Sequence, residues 1–479
     1  MCGIVGILNQ KSEVAIELYE SLVQLQHRGQ DSAGIITCDT LFHKKIAPGL
    51  VRDIFAKKDI DSLSGRLGIG HVRYPTTGSA SQEQAQPFWL GSPYGIALAH
   101  NGNLTNHRDL NQELRQNRRR HLNTDSDSET LIHLFADGFV DQPPVTNSEA
   151  FFEQICQSVG QITKQVMGSY SVVTAIIGKG LIAFRDPHGI RPLCMGVRPH
   201  QDGSEDIIIA SENTSFFGLG FEDAGSIDAG EVVFVDLAGK IFRRTLASQA
   251  FRPCVFEYVY FARPDAKLND ISVYRSRLRM GQNLAKNWLK THPDSKPDVV
   301  IPVPFTSNTA ALAFAHELGV RYSEGLYKNP FIGRTFIMPS DVQRRQAVRY
   351  KLSPQKIEIK DKTVLLVDDS IVRGTTSREI VRMVRECGAK AVYLVSACPP
   401  VKFPCYYGIN IPTTNELIAH NQSVEEIRNY IGVDILLYQD VKDLQEAVLR
   451  RGNHLVQKPC MACLDGDYCA GKISEPSDK

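Results

Sequence analysis

The sequence predicts an α+β layered domain followed by an α/β domain built on a mainly parallel sheet, and two textures along its 479 residues predict it. In the first half, short β-rich runs come in series with helices set aside, the pattern of sheets packed under helices. From about residue 290, strands and helices alternate, which implies βαβ units. The length suits two or three domains.

The first-half strands are expected at 4–8, 34–37, 67–71, 96–99, 171–177, 207–210 and 231–235, with helices at 14–25 and 129–135. In the second half, a strand at 299–303 precedes an Ala-rich helix at 309–317. A strand at 363–367 precedes a helix at 377–387, and a strand at 391–397 follows. The texture changes near 247–253, and the last ten or so residues read as disordered.

Composition narrows the function classes. Hydrophobic residues make up 42% and charged residues 22%, the balance of an ordinary globular protein. A formal charge of +1 argues against general affinity for nucleic acid or anionic membrane. The run Arg118-Arg119-Arg120 is followed by Asp125, Asp127 and Glu129 and reads as a solvated loop. No apolar run is long enough to cross a bilayer, and the first residues lack the order of a secretory signal, so a cytoplasmic location is expected. Cytosolic thiols stay reduced, so the eleven cysteines lean toward packing, catalysis or metal binding.

The first strand opens Met1-Cys2-Gly3-Ile4-Val5-Gly6. Cys2 is small enough for Met1 to be removed, which would put a thiol and a free α-amine on one residue. Such an amine titrates at about 7.7–8.0 and can take up a proton that a lysine cannot. Pairing a terminal amine with a side-chain nucleophile activates it. The plainer alternative is a buried thiol on a first strand. Four clusters downstream decide against that alternative.

His71-Val72-Arg73-Tyr74-Pro75-Thr76 ends a strand with an Arg suited to a bidentate grip on a carboxylate. In His100-Asn101-Gly102-Asn103, the Asn101 amide and the Gly102 N–H could converge on a developing oxyanion. The polar turn from Gln26 to Gly34 contains Arg28 and Gly29. Asp127, in Asp125-Ser126-Asp127-Ser128-Glu129, precedes a helix where it could receive a substrate ammonium. Taken singly, Asn-Gly is usually a hairpin turn and the acidic run a helix cap. Four in order behind Cys2 carry more weight.

Together these residues resemble the class II glutamine amidotransferase domain. That resemblance implies an N-terminal-nucleophile hydrolase fold, the four-layer αββα arrangement of two stacked antiparallel sheets between helices, over residues 2–240. It also implies roles. Cys2 is the nucleophile and its α-amine the base, and Asn101 and Gly102 form the oxyanion hole. Arg73 and Asp127 hold the glutamine carboxylate and ammonium, with Arg28 and Gly29 in a loop closing over the site.

In the second half, an apolar strand at 364–367 runs into Asp368-Asp369-Ser370-Ile371-Val372-Arg373-Gly374-Thr375-Thr376. A small-residue loop opening a helix presents N–H groups and hydroxyls to a phosphate. Acids at the carboxyl end of a parallel strand lie where open α/β sheets bind ligands, and they suit sugar hydroxyls or hydrated Mg²⁺. No Gly-Lys-Ser/Thr follows, so this is not a Walker A loop. The element resembles the phosphoribosyl pyrophosphate (PRPP) motif of type I phosphoribosyltransferases and implies that α/β fold over residues 241–479.

Two further segments, Glu257 to Asp265 and Lys328 to Phe336, resemble the glutamine PRPP amidotransferase family. The first also reads as a buried strand at a domain interface. The second, with Lys328 and Arg334, resembles the start of a loop that closes over PRPP and continues through Arg344, Arg345 and Gln346 to Lys351. Ser307 corresponds to a Mg²⁺-site residue, whereas Phe305 stands where an acid is expected. The resemblance implies PRPP binding by Lys328, Arg334, Asp368, Asp369, Ser370, Arg373, Gly374, Thr375 and Thr376, with Mg²⁺ at Ser307, Asp368 and Asp369. It implies synthesis of 5-phosphoribosylamine from PRPP and glutamine, the first step of purine synthesis. Purine nucleotide inhibition and a homotetramer are implied as well, with neither nucleic acid nor membrane as partner.

Cys460-Met461-Ala462-Cys463 is a CxxC near the C-terminus, and Cys254 and Cys405 each follow a proline. Such a pair can be a redox couple, a zinc half-site or part of an iron–sulfur site. The resemblance extends to the iron–sulfur branch of the family and implies a [4Fe–4S] cluster on Cys254, Cys405, Cys460 and Cys463. Zinc on the same four thiolates is the alternative, and Cys469 is an additional candidate. Cys38, Cys156, Cys194, Cys387 and Cys398 read as core thiols. Sugar-isomerase domains or an ATP-binding Ser-Gly-Gly loop would point to other ammonia-using enzymes, and neither is seen. A PRPP-sensing regulator would call for a helix-turn-helix and a basic face, and would have no reason to keep Cys2.

Overall fold

The first strand, β1 (Gly3–Leu8), is GIVGIL and buried along its whole length, which only a central strand covered on both faces can be. The structure is a computed structural model that describes residues 2–74, 82–247, 249–330, 349–411, 413–450 and 455–472. In it β1 lies between two antiparallel neighbours, with Gly6 opposite Ile69 on one side and Ile209 on the other.

The remaining strands of this half are β2 (Ser32–Cys38), β3 (Phe42–Pro48), β4 (Leu67–Arg73), β5 (Phe88–Leu90) and β6 (Ile96–Leu104). They continue through β7 (Gly168–Ile176), β8 (Gly180–Arg185), β9 (Cys194–Pro199), β10 (Glu205–Ala210), β11 (Glu222–Ser226), β12 (Glu231–Asp236) and β13 (Ile241–Thr245). One sheet runs β11-β9-β10-β1-β4-β2-β3 and the other β13-β12-β8-β7-β6-β5. Ile4, Ile36, Ile69 and Ile209 from the first pack against Ala97, Val173, Leu181 and Val233 from the second. The helix Ala15–Gln24 covers the outside of the first sheet through Leu18 and Leu22. Helices Asp127–Asp137 and Ser148–Gln165 cover the second through Phe135, Phe151 and Ile155. The four layers expected from the resemblance are therefore present.

The second half carries a hairpin of β14 (Lys267–Leu268) and β15 (Ile271–Ser272), then β16 (Val299–Pro302) and β17 (Arg321–Tyr322). β18 (Leu326–Lys328) pairs with β19 (Leu352–Pro354), and β20 (Thr363–Asp368), β21 (Ala391–Ser396) and β22 (Ile435–Tyr438) follow. The parallel sheet is ordered β17-β16-β20-β21-β22. Alternate residues of β20 face opposite layers. Leu365 and Val367 meet Leu284, Trp288 and Phe314, while Leu366 lies with Ile380, Val384 and Ile427. Burial on both faces explains why β20 reads as continuously apolar.

Several elements differ from the sequence expectation. The edge strands β3, β11 and β13 and the helices His107–Gln116 and Ser148–Gln165 were not foreseen. Glu257–Phe261 is a wide π-type helical turn rather than a strand. Arg118 and Arg120 pair with Asp137 instead of standing in solvent. The tail is docked as far as it is described: Ala470 accepts from Gly168 N at 2.8 Å, and Gly471 accepts from the Tyr407 hydroxyl at 3.0 Å.

Candidate active sites

Cys2 lies at the end of the first sheet's central strand, just before β1, and is buried. Its main-chain N donates to Asn101 Oδ1 at 3.2 Å, and its Sγ lies 3.8 Å from the Tyr74 carbonyl oxygen. Asn101 is fully buried on β6, and its Nδ2 has no partner among the described residues. An amide donor left free in a dry site costs free energy unless something arrives to accept from it. The orphaned donor beside a thiol therefore fits an oxyanion site. Gly102 is required by space: a Cβ there would stand 2.0 Å from the Ser169 carbonyl oxygen.

Arg73 ends β4, and its Nη2 donates to Gln84 Oε1 at 2.6 Å. Asp127 begins its helix, with Oδ2 accepting from Leu104 N at 3.0 Å. Gly29 packs on the β4 backbone so closely that a Cβ would lie 2.6 Å from Val72 O. Beneath the site, burial and the Arg73 charge hold His71 neutral, its pKa lowered to about 3.

Arg28 departs from the place the resemblance implies. It is fully buried rather than part of an open loop. Its Nε donates to the Cys2 carbonyl at 3.0 Å, Nη1 pairs with Glu212, and Nη2 donates to Glu257 at 2.9 Å. Burial would lower its pKa, but the two carboxylates outweigh that and keep it charged. Burial would likewise raise Glu212, yet His27 and Arg28 bring it down to about 2. Arg28 thus holds the nucleophile from behind and has no surface left for a substrate.

The second site is a cavity of about 1500 Å³ at the carboxyl ends of β16 and β20. Asp368, Asp369, Ser370, Arg373, Gly374, Thr375 and Thr376 line it together with Lys328 and Lys351. Both aspartates are titrated upward, first by burial, and Asp368 further by Asp369 beside it. Asp368 accepts from Asp369 N at 2.9 Å, and Asp369 accepts from Ser370 Oγ at 2.8 Å. Arg277 and Lys328 pull Asp369 down without offsetting its burial. Two adjacent carboxylates raised in this way fit Mg²⁺, which binds one or two carboxylates and takes its remaining oxygens from water and substrate phosphates. Gly374 precedes the helix Thr375–Glu386 with φ 74°, a left-handed conformation. The cavity also reaches Tyr74, Phe256, Tyr260 and Phe261.

The Ser307 hydroxyl donates to the Val303 carbonyl, which leaves its oxygen lone pairs free, and the neighbouring Thr306 donates to Asp369. Phe305, where an acid was expected, is exposed and carries Lys328 Nζ 5.1 Å above its ring. Arg334 lies outside the described residues, as do Arg344, Arg345 and Gln346. Sequence reading missed Arg277, a buried guanidinium that donates to the Tyr258 and Ala262 carbonyls and supports Asp369 electrostatically. Its only sequence signal was an Arg on the apolar face of a helix.

Cys254, Cys405, Cys460 and Cys463 come from three distant segments into one region. Cys460 N donates to Pro253 O at 2.9 Å, Val255 N donates to Cys460 O at 3.0 Å, and Lys402 N and Phe403 N donate to Cys463 O at 3.0 Å. Burial pushes the Cys254 thiol up to about 12, and Cys460 and Cys405 add to the rise. Cys463 is raised by burial and then by Cys405 and Cys254, so these thiols feel one another. The Arg191 guanidinium opposes the rise at Cys254. Cys469 shares a side-chain hydrogen bond with Cys460. A dry pocket of four thiols beside a guanidinium is a donor set for a soft metal centre. Among the described residues, no three His, Cys, Asp or Glu side chains are gathered as a single metal ion requires.

The glutamine amidotransferase domain model matches residues 71–218, and the phosphoribosyl transferase domain model matches residues 274–404. The chain is 48% identical over 478 residues to the amidophosphoribosyltransferase of Pseudomonas aeruginosa, covering 99% of this chain and 94% of that protein. It is 47% identical over 481 residues to the Escherichia coli amidophosphoribosyltransferase, with the same coverage. Its fold matches the glutamine PRPP amidotransferase from B. subtilis complexed with ADP and GMP, with a TM-score of 0.85 at 35% identity over 99% of this chain and 98% of that one. With an N-terminal-nucleophile glutamine amidotransferase domain followed by a type I phosphoribosyltransferase domain, the chain belongs to the amidophosphoribosyltransferase family.

Proposed function

We propose that the chain hydrolyses glutamine at Cys2 and transfers the ammonia to C1 of PRPP, giving 5-phosphoribosylamine, pyrophosphate and glutamate in the first step of purine synthesis. Tyr74 carries this reading. It lines the cavity of Asp368 and Asp369, and its carbonyl oxygen lies 3.8 Å from the Cys2 sulfur. Two sites that share a wall suit an intermediate passed from one to the other.

Once Met1 is removed, the Cys2 α-amine takes the thiol proton while Asn101 Oδ1 orients it. The thiolate attacks the side-chain amide of glutamine, with Arg73 on its carboxylate and Asp127 on its ammonium. Asn101 Nδ2 and Gly102 N–H stabilise the oxyanion. The protonated amine then gives its proton to the departing ammonia, and water hydrolyses the thioester. Phe256, Tyr260 and Phe261 give the cavity of Asp368 and Asp369 an apolar lining that favours neutral ammonia over ammonium. In the cavity, the loop from Ser370 to Thr376 binds phosphate, Lys328 and Arg373 add charge, and the acid pair fixes the ribose so that C1 faces the incoming nitrogen. Bound Mg²⁺ at Asp368 and Asp369 would neutralise charge on the leaving pyrophosphate.

A [4Fe–4S] cluster on Cys254, Cys405, Cys460 and Cys463 would supply a cross-link, since neither half-reaction moves electrons. Zinc is the alternative at the same thiols. Support for a metal centre comes from the four cysteines themselves, which three segments bring into one region where the thiols raise one another. Inhibition by purine nucleotides is proposed from the B. subtilis relative's complex with ADP and GMP. A homotetramer in the cytoplasm completes the reading; among the described residues, no helix is long and apolar enough to cross a membrane. The test is phosphoribosylamine formation from PRPP by Asp368→Asn and Asp369→Asn variants. Both should lose synthesis with glutamine and with ammonia while retaining basal glutamine hydrolysis; normal ammonia-dependent turnover in both would remove the PRPP assignment.

A further inference from the structure

Below the glutamine site lies a buried polar node that the mechanism above does not use. β5 pairs with β6 only as far as Leu98, which leaves the His100 N–H without a strand partner on that edge. The Gln86 side chain takes the strand's place, its Oε1 accepting from His100 N at 2.8 Å. Its Nε2 donates to Ser128 Oγ at 2.9 Å, on the turn that carries Asp127. Ser128 Oγ lies 3.0 Å from His100 Nδ1 and 3.4 Å from Asp127 Oδ1. Gln86, Ser128 and His100 are all buried, with exposures of 6%, 1% and 2%. Gly34 lets the Gln86 backbone approach the first sheet, because a Cβ there would stand 2.2 Å from its carbonyl oxygen.

The hydrogen bonds have a consistent direction. Burial keeps His100 neutral, so Nδ1 can accept from Ser128 while Ser128 accepts from Gln86. Two residues earlier on the same segment, Gln84 receives Arg73. One short stretch therefore reaches three of the elements assigned to glutamine: Arg73 through Gln84, the Asn101–Gly102 strand through His100, and Asp127 through Ser128.

We propose that Gln86 is a positioning residue for glutamine, a brace that fixes the spacing between the oxyanion strand and the ammonium-binding carboxylate. The proposal rests on the assignment of Asn101, Gly102 and Asp127 to glutamine. A substrate held at both ends depends on that spacing, and loosening it weakens binding before it affects the chemistry of Cys2. Replacing Gln86 also leaves the His100 N–H and Ser128 short of a partner in a dry site, which would bias both elements to move.

The test compares Gln86→Leu, Gln86→Glu, Ser128→Ala and the double variant Gln86→Leu/Ser128→Ala. Three readouts are needed: KM for glutamine, ammonia-dependent synthesis, and the rate of Cys2 alkylation by iodoacetamide followed by peptide mapping. Gln86→Leu and Ser128→Ala should each raise KM for glutamine about tenfold, with the double variant no worse than either alone. Ammonia-dependent synthesis and iodoacetamide alkylation should stay within twofold of the parent. Gln86→Glu keeps the acceptor for His100 N but can hold Ser128 only by taking its hydroxyl proton from His100 Nδ1, so KM should lie between those of the parent and Gln86→Leu. Unchanged KM in both single variants, or additive losses in the double variant, would overturn the proposal. So would a parallel change in alkylation, which marks a disturbed nucleophile. If Gln86→Leu does not fold, Ser128→Ala and Gln86→Glu still decide the matter. Failure of the glutamine assignment itself looks different, since glutamine would then not protect Cys2 of the parent from alkylation.

Discussion

Arg28 is the only described guanidinium that touches the Cys2 backbone, and it does so while bridging two buried carboxylates. Removing one partner of such an array strands the rest, at a cost of about 3–5 kcal/mol. Arg28→Ala is expected to lose that much stability in denaturant titrations, with glutamine hydrolysis falling alongside. The pH dependence has a definite sign. Glu212 is lowered to about 2 in the fold, against about 4.3 when unfolded. Its stabilisation is therefore complete above the unfolded value and lost as pH falls through about 2. The parent should lose stability over that interval more steeply than Arg28→Ala. The acid pair has the opposite sign, because Asp368 and Asp369 are raised by burial. Their penalty is absent below about pH 4 and grows as pH rises above it. Asp368→Asn should melt about 2–4 °C above the parent at pH 8, with little difference at pH 4, while losing synthesis. Equal melting points at pH 8 would contradict the buried-charge account. These residues also show what a sequence can convey. Cys2, Arg73 and Asp368 stand at strand ends beside telling neighbours, and Asn101 lies within β6 next to Gly102. Arg28 meets Glu212 and Glu257 184 and 229 residues away, and no local pattern announces such a pair.

The loop at 368–376, proposed to bind phosphate, turns into its helix at one left-handed residue. Gly374 has φ 74°, and a Cβ there would stand 2.6 Å from Ile418 Cδ1. A left-handed non-glycine costs roughly 1–2 kcal/mol, and the loop relieves it by turning its N–H groups away from the ligand. Gly374→Ala should raise KM for PRPP about tenfold with either nitrogen source, and an unchanged KM would show that the loop does not grip the substrate. Elements with burial on both faces, such as β1 and β20, were legible because GIVGIL and the 364–367 stretch of β20 are unbroken runs without a polar side chain. β3, FHKKIAP, is a partly exposed edge strand whose polar residues hide its period. The helix Ser148–Gln165 escaped for another reason: its apolar positions are interleaved with Gln and Ser, and its start depends on the Asn147 cap, which accepts from Ala150 N at 2.7 Å.

Across the whole molecule, the tail joins the two halves. Cys460 and Cys463 pack with Cys254 and Tyr407 in a core that also contains Val5 and Leu22 from the first domain and Trp288 from the second. Anaerobically purified protein should be brown and contain about four irons and four sulfides per chain; stoichiometric zinc without iron would overturn the cluster. Oxygen should bleach it and lower the melting temperature of both halves together, because the tail is fastened to each. The account as a whole rests on two chemistries in separate domains joined by ammonia. The most direct measurement is phosphoribosylamine synthesis by Cys2→Ala with each nitrogen source. Glutamine-dependent synthesis should vanish while synthesis from ammonia stays within about twofold of the parent. Equal loss of both, or glutamine-dependent synthesis that survives without the Cys2 thiol, would contradict it.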